Sequence, residues 1–203
     1  MATAKTKRPD EDVAPSHGWV TQPPSRAAIL FNDGYPSNAL EAGKFFPATQ
    51  GGLTDPLQPA DIPSDTPPPD GKIASAGYTH GGAPQLDEVR EWKKVDLISG
   101  GELKVVWNFT QQHKTRRYNY FVTKNDWDPQ QPLSRSQFEA VPFAKLEPNG
   151  DTPYWELPDP SPQEPVQHTI TLPQREGYHV VLGVWEVADT GNAFYQVIDA
   201  NFS

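Results

Sequence analysis

In five segments of the second half of the chain, apolar residues either alternate with polar ones or form β-branched runs. A two-residue period of this kind is typical of β-strands with a buried face. The segments are 103–109, 118–122, 166–172, 179–187 and 194–202. Clusters of Asn, Asp, Gly and Pro separate them and predict turns. Short strands punctuated in this way predict an antiparallel all-β sandwich, with short helical turns at 86–92 and 134–139.

The first half of the chain lacks this alternation. Residues 31–94 are rich in Gly, Pro and Asp, and the Pro-Pro-Pro-Asp-Gly run at 67–71 interrupts any regular element. Long loops inside compact domains are usually functional, so we predict that this long irregular insertion builds part of a functional surface. Residues 1–16 are charged and poor in apolar side chains, which predicts a disordered leader or pro-segment before a folded domain at 17–203.

The composition narrows the class of protein. The 203 residues and 35% hydrophobic content suit one domain of ordinary size. A net charge of −9 argues against a nucleic-acid partner, which would need clustered Lys and Arg, although acidity also serves solubility. Because the chain has no cysteine, disulfides and thiolate metal sites are excluded, and a metal ion would need His, carboxylate or amine ligands.

No segment has the pattern of a membrane span or an export signal. Apolar runs stay well below the roughly twenty residues that cross a bilayer, so we expect no membrane partner. The leader at 1–16 lacks the apolar stretch of about seven to fifteen residues that a Sec signal peptide requires. We therefore expect a soluble protein without Sec-dependent export.

The chain contains five histidines, at positions 17, 80, 113, 168 and 179. Spacing alone selects none of them as a ligand, because a lone His is more often a surface or hydrogen-bonded core residue. His80 lies in a polar, Gly-rich stretch, whereas His168 and His179 lie in predicted strands. His17 and His113 gain significance only from the residues around them.

Ordered sequence blocks across nearly all of 17–203 resemble a known family, the bacterial lytic polysaccharide monooxygenases of auxiliary activity family ten, also called chitin-binding type 4. The blocks are HGWV at 17–20, DGKIASA at 70–76, His113 followed by YFVTK at 120–124, WDP at 127–129, REGYHV at 175–180 and NAFYQVID at 192–199. Blocks of this length in the same order rarely coincide by chance. The resemblance implies a fibronectin-III-like or immunoglobulin-like sandwich with a flat site for a crystalline polysaccharide.

The resemblance also implies a site for one copper ion. His17 would supply its α-amine and a ring nitrogen, and His113 a second ring nitrogen, so that three nitrogens form a histidine brace. Amine and imidazole are suitable copper ligands. Phe194 matches the aromatic residue that occupies the axial direction in many relatives.

The activity implied is oxidative cleavage of a β-1,4-linked polysaccharide, with an external electron donor and O2 or H2O2 as co-substrate. We favour chitin over cellulose as the substrate and expect a monomer. Phe45 or Phe46 in the insertion could stack on sugar rings, although each could equally belong to the core. Asp189 and Thr190 lie in a turn that relatives place near the site.

Several positions depart from the family pattern. Where relatives carry disulfides, this chain has the apolar pairs Leu30 with Leu40 and Ala144 with Ile170, which predicts packing in place of cross-links and folding in a reducing compartment. Gln111, two residues before His113, stands where relatives that act on chitin tend to have a small alanine. A glutamate of the insertion aligns with Gly51, and Glu41 or Asp55 could substitute for it spatially.

The leader is the largest departure. An internal His17 offers an amide nitrogen, whose delocalised lone pair makes a poor ligand. We therefore expect cleavage after Ser16, and action outside the cell after release by lysis, a carrier particle or a specialised secretion machine. The alternatives are a non-catalytic chitin- or cellulose-binding module, and a particle-associated structural protein that docks through residues 1–16.

Overall fold

The computed structural model describes residues 18–48, 56–77, 83–163 and 165–203. Predictions that concern the leader, His17, Gly51, Asp55 and His80 therefore lie outside the described residues.

In the described part of the chain, nine strands form two sheets that pack face to face. The strands are β1 (Gly18–Gln22), β2 (Glu41–Gly43), β3 (Val95–Leu97), β4 (Glu102–Phe109), β5 (Thr115–Val122), β6 (Ala144–Leu146), β7 (Val166–Thr171), β8 (Gly177–Val187) and β9 (Asn192–Phe202). One sheet has the order β1-β4-β7, and the other the order β2-β9-β8-β5-β6 with β3 added beside β9. Every pairing is antiparallel except that of β3 with β9. The predicted all-β sandwich is confirmed.

The long strands β8 and β9 are buried on both faces. In β9, Phe194 and Ile198 point into the cluster between the two sheets, whereas Tyr195 and Val197 point into a second cluster on the opposite face. Alternate residues of a strand face opposite sides, so two apolar clusters require an almost continuous apolar run. This accounts for the length and the largely apolar composition of the predicted strands at 179–187 and 194–202.

The chain between the first helix and β3 covers that second cluster. The helix α1 (Arg26–Phe31) was not predicted; the Ser25 hydroxyl accepts a bond from the Ala28 amide at 3.1 Å and caps it. The segment that follows contributes Phe46, Ile73 and Leu86 to the cluster. The described parts of the insertion thus form a packed layer on the larger sheet, and residues 41–43 extend that sheet as β2.

The helical turns differ in part from the predictions. Short 3-10 helices lie at Ala83–Asp87, Arg135–Gln137 and Tyr154–Glu156. The turn predicted at 86–92 is therefore placed too late, whereas the one predicted at 134–139 contains a helix. No helix within the described ranges is long and apolar enough to cross a membrane.

Apolar packing occupies the two pairs of positions at which the resemblance implies disulfides in relatives. Leu40 is buried in the cluster under the insertion, and Leu30 packs against the same cluster. Ile170 is buried between the sheets, and Ala144 packs against that cluster. Each pair therefore shares one apolar cluster, as expected if packing replaces the cross-link.

Candidate functional site

Four segments meet at one end of the sandwich. The loop between β4 and β5 carries His113, and the turn between β8 and β9 carries Asp189 and Thr190. Gly18, the first residue of β1, pairs with Phe109 at the end of β4. Because β9 begins at this same end, Phe194 comes close to the two loops.

The two loops are locked to each other by hydrogen bonds. Nδ1 of His113 lies 3.4 Å from Oδ1 of Asp189. The amide of Lys114 donates to Oδ2 of Asp189 at 3.2 Å, and the amide of Ala188 donates to the Lys114 carbonyl at 2.7 Å. When Nδ1–H donates to the carboxylate, the lone pair of the neutral imidazole lies on Nε2. This tautomer suits a metal-binding His.

Asp189 is held in its ionised form. Partial burial would raise the pKa of this carboxyl, but the hydrogen bonds from His113 and from the Lys114 amide outweigh burial and bring the pKa below its ordinary value. A carboxylate behind an imidazole fixes the orientation of the ring and increases its basicity as a ligand.

Aromatic rings form the inner wall of the site. Phe194 is fully buried, and its ring lies nearly parallel to that of His113, with centroids 6.3 Å apart and planes 19° apart. The Trp185 ring lies 6.2 Å from His113 and 4.9 Å from Phe194. The site is therefore closed on its inner side by apolar surface.

Gly18 lies directly on this wall. A Cβ at this position would come within 2.7 Å of the Phe109 ring and 2.9 Å of the Trp185 ring, so only glycine allows the backbone to pack here. Gly18 directly follows position 17 in the chain. The close approach therefore brings the described start of β1 onto the Trp185 ring, which also backs His113.

Glu41 is an acidic residue of the insertion that lies beside the site. It is the register partner of Phe194, and its Oε2 accepts a bond from the Asn192 side chain at 3.0 Å. Burial raises the pKa of Glu41, while Asn192 and the nearby His113 act in the opposite direction. The carboxyl is thus near enough to His113 to interact with it electrostatically, as expected if Glu41 substitutes for the glutamate that aligns with Gly51.

The remaining predicted residues occupy different environments. Thr190 is half-buried, and its hydroxyl accepts a bond from the Asn192 amide at 3.2 Å. Gln111 is exposed in the loop that carries His113. His168 and His179 bond to the hydroxyls of Tyr120 at 2.7 Å and Thr123 at 3.0 Å, in agreement with the structural role expected for strand histidines.

The prediction that Phe45 or Phe46 contacts the substrate is wrong. Phe45 is 1% exposed and Phe46 3% exposed, so neither ring offers a face to a sugar. The Phe46 ring packs edge-on against Phe121 with centroids 4.9 Å apart, and the Arg116 guanidinium covers Phe45 at 4.8 Å. Sequence could not separate the two alternatives, because apolar residues of an irregular segment have no period that shows which side is buried.

The described residues fit part of a copper site. Among the ranges that the structure describes, no group of three or more His, Asp or Glu side chains could hold a metal ion. His113 nevertheless has the imidazole chemistry and the carboxylate partner at Nδ1 that suit a copper ligand. A complete ligand set therefore depends on His17, which lies outside the described residues.

Comparison with known proteins gives matches along most of the chain. The family model described as "Lytic polysaccharide mono-oxygenase, cellulose-degrading" matches residues 17–200. The chain is 35% identical over 192 residues to the lytic chitin monooxygenase of Enterococcus faecalis, covering 93% of this chain and 87% of that protein. It also matches GlcNAc-binding proteins A, such as that of Photobacterium profundum, but spans only 26% of that protein's length.

Solved structures show the same fold. A chitin binding domain from Burkholderia pseudomallei is 48% identical, with a TM-score of 0.84 and coverage of 93% of this chain and 100% of that chain. A Bacillus amyloliquefaciens CBM33 in complex with Cu(I) is 33% identical, with a TM-score of 0.66 and coverage of 92% and 100%.

Proposed function

Because the chain belongs to the lytic polysaccharide monooxygenases of auxiliary activity family ten, we propose that it cleaves a β-1,4-linked polysaccharide oxidatively with one copper ion. The contact of Asp189 with Nδ1 of His113, beside the start of β1, carries this proposal. It prepares Nε2 of His113 as a ligand next to the segment that His17 precedes. The similarity to a CBM33 in complex with Cu(I) supports copper as the metal.

In this proposal three nitrogens hold the ion: Nε2 of His113, and the α-amine and a ring nitrogen of His17. Bound copper, reduced by an external electron donor, supplies the reactivity toward O2 or H2O2 that is needed to oxidise a strong C–H bond beside a glycosidic linkage. Asp189 orients His113, and the Phe194 and Trp185 rings exclude water from the inner side of the site.

We propose chitin as the preferred polysaccharide. The name of the Enterococcus faecalis relative, lytic chitin monooxygenase, and that of the Burkholderia pseudomallei chitin binding domain support this choice. The description of the family model names cellulose, so activity on chitin should be compared with activity on cellulose. A net charge of −9 is compatible with either neutral polymer.

Activity in this proposal requires removal of residues 1–16. An α-amine at His17 exists only after cleavage behind Ser16, because an internal residue presents an amide. We propose that the protein acts outside the cell.

The test compares a chain that begins at His17 with the chain that retains residues 1–16. Calorimetric copper titration should give tight binding to the first and much weaker binding to the second. With a reductant, mass spectrometry should detect oxidised oligosaccharides from chitin for the first chain and not for its His113→Ala variant. Binding to chitin without oxidised products would instead favour a binding module, and binding to neither chitin nor cellulose would favour the particle-associated role.

A further inference from the structure

A bracing segment of the insertion, residues 62–65, runs along the turn between β8 and β9. The Ile62 amide donates to the Ala188 carbonyl at 2.8 Å, and the Asp65 amide donates to the Gly191 carbonyl, also at 2.8 Å. The two bonds lie on either side of the aspartate that contacts Nδ1 of the proposed copper ligand. The bracing segment therefore holds this turn at both ends.

Two glycines let the bracing segment pack closely on both of its sides. A Cβ on Gly191 would come within 2.7 Å of Cγ of Asp65, and a Cβ on Gly43 of β2 would overlap the Asp65 backbone. The Gly43 amide also donates to the Thr66 carbonyl at 2.9 Å. The segment is thus wedged between β2 and the turn, so a shift of the segment would move one of them.

Asp61 fixes the beginning of the bracing segment. Its side chain is fully buried, and Oδ2 accepts bonds from Nε of Arg116 at 3.1 Å and from the Gln58 amide at 3.0 Å. Arg116 also donates to Glu186 of β8 at 3.1 Å and to the Pro56 carbonyl at 3.3 Å. Charge-assisted bonds in a dry environment are strong, so Arg116 ties the insertion firmly to the sheet.

Arg116 lies between the two loops of the site in the sequence of contacts. It follows His113 by three residues, and its partner Glu186 precedes Asp189 by three. The contacts lead from Arg116 to Asp61, then along the bracing segment to the turn, and finally from Asp189 to Nδ1 of His113 at 3.4 Å. A displacement of Asp61 would therefore be passed on to the imidazole.

We propose that Asp61 is a positioning residue for His113. It holds the bracing segment in place, and the bracing segment holds Asp189 where its carboxylate orients the ring. The inference rests on the proposed function, since it needs a copper ion at His113. It gives part of the insertion a role in the metal site that acts through Asp189. If the pair of Asp61 with Arg116 were only structural, its loss would change stability and not copper binding.

The first test measures copper affinity by calorimetric titration of chains that begin at His17. Asp61→Asn removes the charge and keeps the size of the side chain. It should weaken copper binding about three- to tenfold, less than loss of the Asp189 carboxylate itself, because Asp61 acts one step further from the ring.

Asp199→Asn is the matched control for loss of a buried carboxylate. Asp199 pairs with Arg26 at 2.6 Å, and the two side chains are at most 5% exposed. It lies roughly 20 Å along β9 from the end of the strand at the site, at about 3.3 Å per residue. Asp199→Asn should lower Tm as Asp61→Asn does, because each leaves a buried Arg charge undercompensated, but copper affinity should be unchanged.

A second variant tests the same link with all buried charges in place. Gly191→Ala sets a Cβ against the carboxyl group of Asp65, so it should displace the turn and weaken copper binding by a similar factor. Asp65→Ala, added to this variant, removes Cγ and both oxygens that the new Cβ meets and keeps the backbone bond to position 191. The double variant should regain the copper affinity of the unsubstituted chain.

Nitrogen NMR chemical shifts of the metal-free chains give a readout that does not depend on copper. The unsubstituted chain should carry the His113 proton on Nδ1, whereas Asp61→Asn and Gly191→Ala should raise the share of the other tautomer. Unchanged copper affinity in both variants, weaker binding without a change of tautomer, or an equal loss in Asp199→Asn would overturn the inference. Failure of the unsubstituted chain to bind copper tightly would instead overturn the proposed function.

Discussion

The Asp189 carboxylate lies 3.4 Å from Nδ1 of His113, and this contact joins the two loops that build the proposed copper site. Because the same carboxylate also accepts the Lys114 amide at 3.2 Å, it fixes both the imidazole and the backbone beside it. One side chain thus sets the tautomer and the direction of the proposed ligand.

Asp189→Ala should therefore weaken copper binding about 10- to 100-fold, the range typical for loss of a partner behind a ligating His. Calorimetric titration of copper into the chain that begins at His17 measures the change. Tm should fall only slightly, because the Asp189 side chain is 37% exposed. Asp96→Ala, which removes an exposed carboxylate from β3, serves as the control. Unchanged copper affinity in Asp189→Ala would show that the contact does not orient a ligand.

A buried cluster of three charged side chains, centred on Arg116, joins the sheet to the insertion beneath the same loops. Arg116 donates to Asp61 and to Glu186 at 3.1 Å each, and all three side chains are at most 2% exposed. Glu186→Gln would leave the Arg116 charge undercompensated in a dry environment. We expect a loss of about 3 kcal/mol in the free energy of unfolding, measured by urea denaturation.

The matched control for this loss is Glu139→Gln. Glu139 pairs with Arg175 at 2.7 Å but is 45% exposed, so its removal should cost less than about 1 kcal/mol. Equal losses in the two variants would contradict the view that burial makes the Arg116 pair important.

The strands and the site were predictable to different extents. The runs that became β8 and β9 were recognisable because both of their faces are buried, and this gives long apolar segments. The strands β2 and β3 have three residues each, too few for any period to be recognised. Their positions are set by pairing with β9, which is a tertiary effect.

The burial of charged side chains beneath the site could not be predicted from the sequence. Lys44 and Arg116 are among the most buried side chains of the protein, yet Lys and Arg are almost always exposed unless paired. Asp61 and Glu186, the two partners of Arg116, lie 55 and 70 residues away from it, so no local pattern identifies them.

His168 should make the protein sensitive to acid. Burial lowers the pKa of His168 to about 4, and its Nδ1 bonds to the Tyr120 hydroxyl. Between pH 6.5 and 4 the unfolded chain binds a proton that the folded chain does not, so stability decreases as the pH falls through this range.

Comparison of the unsubstituted chain with His168→Gln isolates this effect. Relative to the variant, the unsubstituted chain should lose about 2 kcal/mol of unfolding free energy between pH 7 and pH 4.5. Urea denaturation at the two pH values measures the loss. Parallel pH dependence of the two chains would mean that the ionisation of His168 is not linked to folding.

Lys44 lies in a mixed charge environment under the turn that carries Asp189. Its Nζ lies 3.5 Å from the Ala188 carbonyl. Burial lowers the pKa of Lys44 to about 8, Arg116 acts in the same direction, and the carboxylates of Asp61, Glu186 and Asp189 oppose it. At neutral pH Lys44 is charged in the folded protein, so burial of its ammonium group lowers the free energy of unfolding.

This cost should disappear as the pH rises. Between pH 8 and 10.5 the unfolded chain keeps the Lys44 proton that the folded chain releases, so the folded state gains stability with increasing pH. Lys44→Met, which removes the charge and keeps the length, should be more stable than the unsubstituted chain at pH 7, and the gap should narrow by about 2 kcal/mol by pH 9.5. Urea denaturation across this range measures the gap, with the exposed Lys104→Met as a control that should show no trend. A gap that stays constant with pH would exclude Lys44 as a group whose ionisation is linked to folding.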